Sequence, residues 1–117
     1  NGLCLGEGSA FLVLETSVSA ARRGARPLAR LAGWGQAVDL AGRVGVSAGA
    51  AGLAQAASDA LALAGLEPGM IDHVNAHGTG TVMNDLAEAR ALREIFGERA
   101  ARLPCSSTKP VTGHCLG

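Results

Sequence analysis

Short, continuously apolar runs alternate with longer Ala-rich stretches that stop on glycine. This alternation restricts the chain to architectures in which helices cross over a parallel sheet. Ser9 to Glu15 contains Ala10-Phe11-Leu12-Val13-Leu14, an unbroken apolar run bounded by Gly8 and Thr16, which is the pattern of a strand buried on both faces. Ser17 to Arg23 reads as a short helix, with Ser17 as its cap, arginines in the last turn and Gly24 beyond. After Pro27, Leu28 to Trp34 reads as a second strand, weakened by its Ala and Gly content. Residues 35–49 lose any period and read as a loop near a site. Ala50 to Ala64 puts Leu53, Ala57, Leu61 and Ala64 on one stripe of a helix that ends at Gly65. Ile71 to Ala76 is a strand, Asn84 or Asp85 opens a helix that runs to Phe96 and stops at Gly97, and Leu103 to Ser107 is the last strand, with a loop from Lys109 onward.

Composition narrows the function classes. Glycine makes up 17 of the 117 residues, against a usual share of about 7%, so elements can pack closely. Phe11, Trp34 and Phe96 are the aromatic residues and offer no stacking platform for bases. Ten basic side chains balance ten acidic ones, and Arg22, Arg23 and Arg26 form one short cluster, which argues against a nucleic-acid partner. At 48% hydrophobic and 17% charged, the chain has the make-up of one small domain with a core. No run approaches the roughly 18 apolar residues a membrane span needs, and no basic-then-apolar leader opens the chain. Cys4, Cys105 and Cys115 are an odd number at irregular spacing and build no disulfide framework, so a cytoplasmic location is expected. The sequence opens on Asn1 and stops at Gly117 in what reads as the start of a helix, so a piece of a longer protein is expected.

Candidate chemistry begins on the helix after Asn84. At 100° per residue Ala89, Leu92, Ile95 and Phe96 define its buried stripe, and Asp85 and Glu88 fall in the same sector. A buried carboxylate needs a cationic or hydrogen-bonding partner; the alternative is that both acids sit exposed in the first turn, favoured by the helix dipole. Lys109 is the one lysine in the sequence, in Ser106-Ser107-Thr108-Lys109 at a strand end, and is expected to partner Glu88. His77 stands where a strand emerges into Gly78-Thr79-Gly80-Thr81, and His114 stands in a comparable loop, at the strand ends where open α/β sheets bind ligands. His73 reads as a strand-edge residue, and Cys105 as a buried strand residue. His73 and His77 match an i, i+4 metal pair, but on a strand they stand roughly 13 Å apart, which disfavours zinc. The glycines at 78 and 80 lack the third glycine of a dinucleotide loop and the lysine of a P-loop. Ser106-x-x-Lys109 lacks the companion motifs of penicillin-binding proteins.

Val74-Asn75-Ala76-His77-Gly78-Thr79-Gly80-Thr81, Asn84-Asp85, and Ser106-Ser107-Thr108-Lys109 through Thr112-Gly113-His114-Cys115-Leu116-Gly117 together resemble the β-ketoacyl-acyl-carrier-protein synthases. Leu5-Gly6-Glu7-Gly8-Ser9-Ala10 is similar to that family's strand near the end of its first half. The resemblance implies an α/β thiolase-like layered fold, present in part: residues 1–26 as the end of the N-terminal half and 27–117 as the start of the C-terminal half. It also implies decarboxylative condensation of an acyl thioester with malonyl units in fatty-acid or polyketide biosynthesis. His77 and His114 match the family's active-site histidines, Lys109 the active-site lysine, and Glu88 the acid that pairs with it. Thr79 and Thr81 match positions that hydrogen-bond the pantetheine arm, and Asp85 is expected to give structural support.

The implied partners are an acyl-carrier protein with its phosphopantetheine arm and a second copy in a homodimer; neither a metal nor a cofactor is implied. Two histidines resemble the elongating class. None of the three cysteines lies in the family's nucleophile motif, so that cysteine is expected upstream of this chain. Val44 departs from a threonine often found there in related synthases. The alternative reading is a non-catalytic ketosynthase-like partner, a chain-length factor.

Overall fold

The structure, a computed structural model, describes residues 2–39 and 50–116. Its elements in chain order are helix α1 (Ser17–Arg22), helix α2 (Ala51–Ala64), a 3-10 turn (Pro68–Met70), strand β1 (Val74–Asn75), helix α3 (Val82–Phe96), a second 3-10 turn (Gly97–Ala101), strand β2 (Cys105–Ser106) and helix α4 (Lys109–Thr112). β1 and β2 are parallel, with Val74 opposite Cys105 and Asn75 opposite Ser106. The Val74 N–H donates to Pro104 O at 2.9 Å and the Ala76 N–H to Ser106 O at 2.7 Å, extending the ladder at both ends. The expected parallel crossover is therefore present, although the strands are shorter than the apolar runs that carry them.

The other two expected strands are absent among the described residues. Phe11, Leu12 and Val13 are 94%, 88% and 87% exposed, and Leu28 is fully exposed. An apolar run marks a sequence suited to a strand, but a strand exists only beside a neighbour that takes up its N–H and C=O groups. Here β1 and β2 supply each other, and among the described residues no strand supplies 9–15 or 28–34. Cys105, expected to be buried, is exposed for the same reason: one edge and both faces of β2 are largely uncovered. The radius of gyration is 16.2 Å, against about 13 Å for a compact domain of this length.

α1 starts one residue earlier than expected. Thr16, with extended backbone, is the cap, and its Oγ1 accepts the Ser19 N–H at 3.2 Å. Arg23 closes the helix and pairs with Glu15 through Nε and Nη2. α2 stops on Gly65, whose φ of 66° lets its N–H turn back to Ala62 O. α2 and α3 meet on alanines: Ala50, Ala54, Ala87 and Ala91 form the core cluster, with Ile95 packed against it. The buried line of α3 is Asn84, Ala87 and Ala91. It is rotated from the expected Ala89, Leu92, Ile95 stripe, because small residues define where the helices approach while the longer side chains flank the contact. Ala89 is exposed. Leu53 and Ala57 of α2 face Val74, Ala76, Leu92 and Ile95 across a largely apolar cavity of about 140 Å³.

Arg99 joins the second 3-10 turn to the first, donating through Nη1 to Pro68 O at 3.1 Å and through Nη2 to Ile71 O, which fixes the entry to β1. Gly33 and Gly35 run against α2 with no room for a side chain at either position. A Cβ at Gly33 would stand 2.3 Å from Ala60 O, and one at Gly35 would stand 1.9 Å from Ala56 O. Gly35→Ala in the intact protein is therefore expected to cost about 1–3 kcal/mol by overpacking. A denaturant midpoint unchanged from the parent would show that this contact does not form.

Candidate active site

The loops that carry the candidate residues leave the carboxyl ends of β1 and β2 side by side. After β1 the chain makes Ala76-His77-Gly78; after β2 it makes Ser107-Thr108 and enters α4 at Lys109. Gly78 has φ 51°, and a Cβ there would lie 2.5 Å from the Cβ of Ser107, so the two loops touch backbone to side chain. The Ser107 hydroxyl lies 3.4 Å from both His77 O and Gly78 O, and its Oγ accepts the Lys109 N–H at 3.3 Å. Ser107 is a tie between the loops that sequence reasoning passed over; its place in the Ser-Ser-Thr-Lys run was the available signal.

His77 and His114, 37 positions apart in the sequence, come together with ring centroids 5.2 Å apart and planes at 88°, edge to face. Each ring has one nitrogen assigned by its neighbour. Lys109 Nζ lies 3.2 Å from His77 Nδ1; an ammonium has only donors, so Nδ1 accepts and the proton of the neutral ring sits on Nε2. The Leu116 N–H donates to His114 Nδ1 at 3.0 Å, which gives His114 the same tautomer. Leu116 adopts the left-handed region at φ 67° to make that bond. Both imidazoles thus carry a free-to-donate Nε2–H.

The surroundings of His114 displace its titration. Burial lowers its pKa from the ordinary 6.5, and electrostatic interaction with Lys109 and then His77 lowers it further. It therefore favours the neutral form its Leu116 hydrogen bond requires.

Glu88 is half-buried, as the helix phase required, but its partner is not Lys109: the two form no ion pair. Its Oε1 accepts the His77 N–H at 2.6 Å, and its Oε2 accepts the Gly78 N–H and Asn84 Nδ2, each at 2.7 Å. Three donors satisfy the carboxylate, two of them backbone N–H groups of the turn itself, so no cation is needed. Lys109 is left to serve His77. Asp85 is exposed, in line with the alternative reading of the first helical turn; its Oδ1 accepts the Gly80 N–H at 3.3 Å and Asn84 Nδ2 at 3.2 Å. Asn84, 8% exposed, is a second residue passed over. A polar side chain on the buried line of a helix beside two acids was its signal. The hydroxyls of Thr79 and Thr81 lie 2.8 Å apart and half-buried on the same loop. His73 sits at the strand edge, with Nε2 2.9 Å from Ser106 Oγ. Val44 and the loop around it lie outside the described residues.

Two imidazoles, each with an Nε2–H able to donate, thus stand edge to face beside a lysine, in loops that follow the carboxyl ends of parallel strands, an arrangement that offers hydrogen-bond donors to a ligand oxygen. Residues 28–117 match the family described as Beta-ketoacyl synthase, C-terminal domain, and the chain belongs to that family. It is 44% identical over 117 residues, all of this chain and 28% of the relative, to an oxytetracycline polyketide beta-ketoacyl synthase of Streptomyces rimosus. It is 40% identical over the same 117 residues, and 29% of the relative, to 3-oxoacyl-acyl-carrier-protein synthase 2 of Staphylococcus aureus.

Among solved structures, the ishigamide ketosynthase/chain length factor superposes with a TM-score of 0.89 at 37% identity, over 97% of this chain and 27% of that one. A type II polyketide synthase acyl-carrier protein in complex with its ketosynthase bound to the hexaketide gives 0.82 at 32% identity, over 86% and 25%. The fold is that of a ketosynthase, thiolase-like and present in part; the chain spans little more than a quarter of the length of these relatives. No helix among the described residues is long and apolar enough to cross a membrane.

Because the folded-state pKa of His114 is depressed, its contribution to stability is complete above pH 6.5 and declines as the pH falls through 6.5 toward the folded value, where the unfolded chain binds the proton first. An NMR titration is expected to place His114 below 6.5, and Lys109→Met should raise its midpoint. A midpoint at or above 6.5 would contradict the geometry. Glu88→Gln, which keeps the shape but presents an amide to three donors, is expected to cost about 1.5–3 kcal/mol in denaturant unfolding of the intact protein.

Proposed function

We propose that this chain supplies the two-histidine oxyanion site of an elongating β-ketoacyl-acyl-carrier-protein synthase, an acyltransferase of fatty-acid or polyketide biosynthesis. The observation that carries the reading is the edge-to-face approach of His77 and His114 with both Nδ1 atoms occupied as acceptors. In the reaction the malonyl carbon–carbon bond breaks, carbon dioxide leaves, and the electron pair moves onto the thioester oxygen. The Nε2–H groups of His77 and His114 donate to that oxygen. The carbanion carbon then attacks an acyl thioester on a cysteine, forming the new carbon–carbon bond as the thiolate departs.

Thr79 and Thr81 line the loop beside His77 and are assigned to the pantetheine arm of the carrier protein; Lys109 sets the His77 tautomer, Glu88 holds the turn, and Asp85 braces Gly80. Residues 1–26 close the first half of the synthase and residues 27–117 open the second. The nucleophilic cysteine lies outside this chain, in a full-length protein that works as a cytoplasmic homodimer.

Solved relatives include a ketosynthase in complex with its chain length factor from Xenorhabdus doucetiae, with a TM-score of 0.67 at 40% identity over 73% of this chain and 21% of that one. The same fold thus occurs in such complexes, and a non-catalytic partner is the second reading. A cysteine at the nucleophile position of the parent protein favours the first reading, and an inert residue there the second.

In the full-length protein, His114→Ala is expected to lower malonyl decarboxylation by about 10²–10³-fold, the usual effect of removing one oxyanion donor. Acylation of the nucleophilic cysteine should survive. Decarboxylation at the parent rate in that variant would overturn the assigned role.

A further inference from the structure

Residues 2–6 touch both histidine loops through backbone hydrogen bonds. The His114 N–H donates to Cys4 O at 2.7 Å and the Gly6 N–H donates to His114 O at 3.1 Å, so that Leu5 and His114 form a parallel bridge. At the other end the Gly2 N–H donates to Gly80 O at 3.0 Å, three residues beyond His77. The glycines at these contacts have no space for a side chain. A Cβ at Gly6 would stand 2.1 Å from Thr112 O, one at Gly113 would stand 2.7 Å from Gly6 Cα, and one at Gly80 would stand 2.8 Å from Gly2 O. The bonds on either side of His114 hold both its N–H and its C=O, and these fix the peptide planes from which its imidazole projects.

We propose that residues 2–6 form a strap that positions the two histidine loops relative to each other, with Gly6 the positioning residue for His114. The strap belongs to residues 1–26, assigned above to the first half of the synthase, and the loops it holds belong to the second, so it links the two halves at the place where the paired donors must be held. A methyl group at residue 6 would drive the Thr112–Gly113 backbone away and carry His114 off the position that meets His77. This inference rests on the oxyanion role given to the histidines above.

The test uses the full-length protein and compares Gly6→Ala with Gly8→Ala, where a Cβ would meet only the Sγ of Cys115, at 3.3 Å. Gly6→Ala is expected to lower malonyl decarboxylation about tenfold or more, as a misplacement of about 1 Å does, while cysteine acylation is retained and the ring signals of His114 shift in the NMR spectrum. Gly8→Ala should leave both half-reactions near the parent rate. Decarboxylation at the parent rate in Gly6→Ala overturns the proposal. A second measurement avoids any failure of that variant to fold: in the unsubstituted protein the amides of Gly6 and His114 are expected to be protected from exchange and to open at a common rate, and free exchange at Gly6 overturns the strap. If His114→Ala keeps full decarboxylation, the oxyanion reading fails, and amide exchange alone then decides whether the strap exists.

Discussion

The site depends on one parallel register. With Val74 beside Cys105 and Asn75 beside Ser106, the chain leaves both strands at the same edge and in the same direction. His77 therefore emerges two residues past β1 next to Ser107, one residue past β2, and Lys109 follows within reach of the His77 ring. A two-residue ladder has little holding power of its own. It is braced from below by Arg99, which ties the turn before β1 to the turn before β2, and from above by α3, whose Glu88 carboxylate takes the first two N–H groups of the His77 turn. A slip of one residue in this pairing would turn every side chain of β1 to the opposite face and carry the His77 turn away from Lys109.

How much of this could be read in advance varied with the range of the interaction involved. The helices were legible because their signals are local: Gly65 and Gly97 end α2 and α3 where expected, and the first helix moved by a single residue because Thr16 rather than Ser17 has the extended backbone a cap needs. His77 and His114 do converge, but not from the equivalent strand-end positions expected: His77 lies two residues past β1, while His114 follows α4 and is held by its bridge to Leu5. The partner of Glu88 was not legible. Helix phase could show that an acid turns inward, but it carries no information on whether a cation or a pair of backbone N–H groups awaits it. The run Phe11 to Leu14 shows the opposite failure, where an unambiguous local pattern meets no neighbouring strand among the described residues.

Small residues explain why so sparse a core can still fix the site. α2 and α3 approach on Ala50, Ala54, Ala87 and Ala91, and the 33–35 segment lies against α2 on two glycines. Such contacts bury little area, so the local hydrophobic contribution is modest. What they provide is a short distance between backbones, and with it a fixed height of α3 above β1. That height determines whether Glu88 meets the His77 and Gly78 amides at 2.6 and 2.7 Å or misses them. A leucine in place of Ala87 or Ala91 would bury more apolar surface and lift the carboxylate off the turn.

The two histidines reach one tautomer by different means. His77 is set by a charge, since the Lys109 ammonium can only donate to Nδ1. His114 is set by a peptide, the Leu116 N–H presented by a left-handed residue. Had a carboxylate stood where Lys109 stands, it would have accepted a hydrogen bond from Nδ1–H and favoured an imidazolium or the opposite tautomer, and the neutral Nε2–H donor would have been lost. This is why Glu88 is occupied by backbone amides rather than by the lysine. An acid kept busy with the turn cannot compete for the ring, and a lysine free of the acid keeps its charge directed at His77, where it also helps to hold the neighbouring His114 neutral.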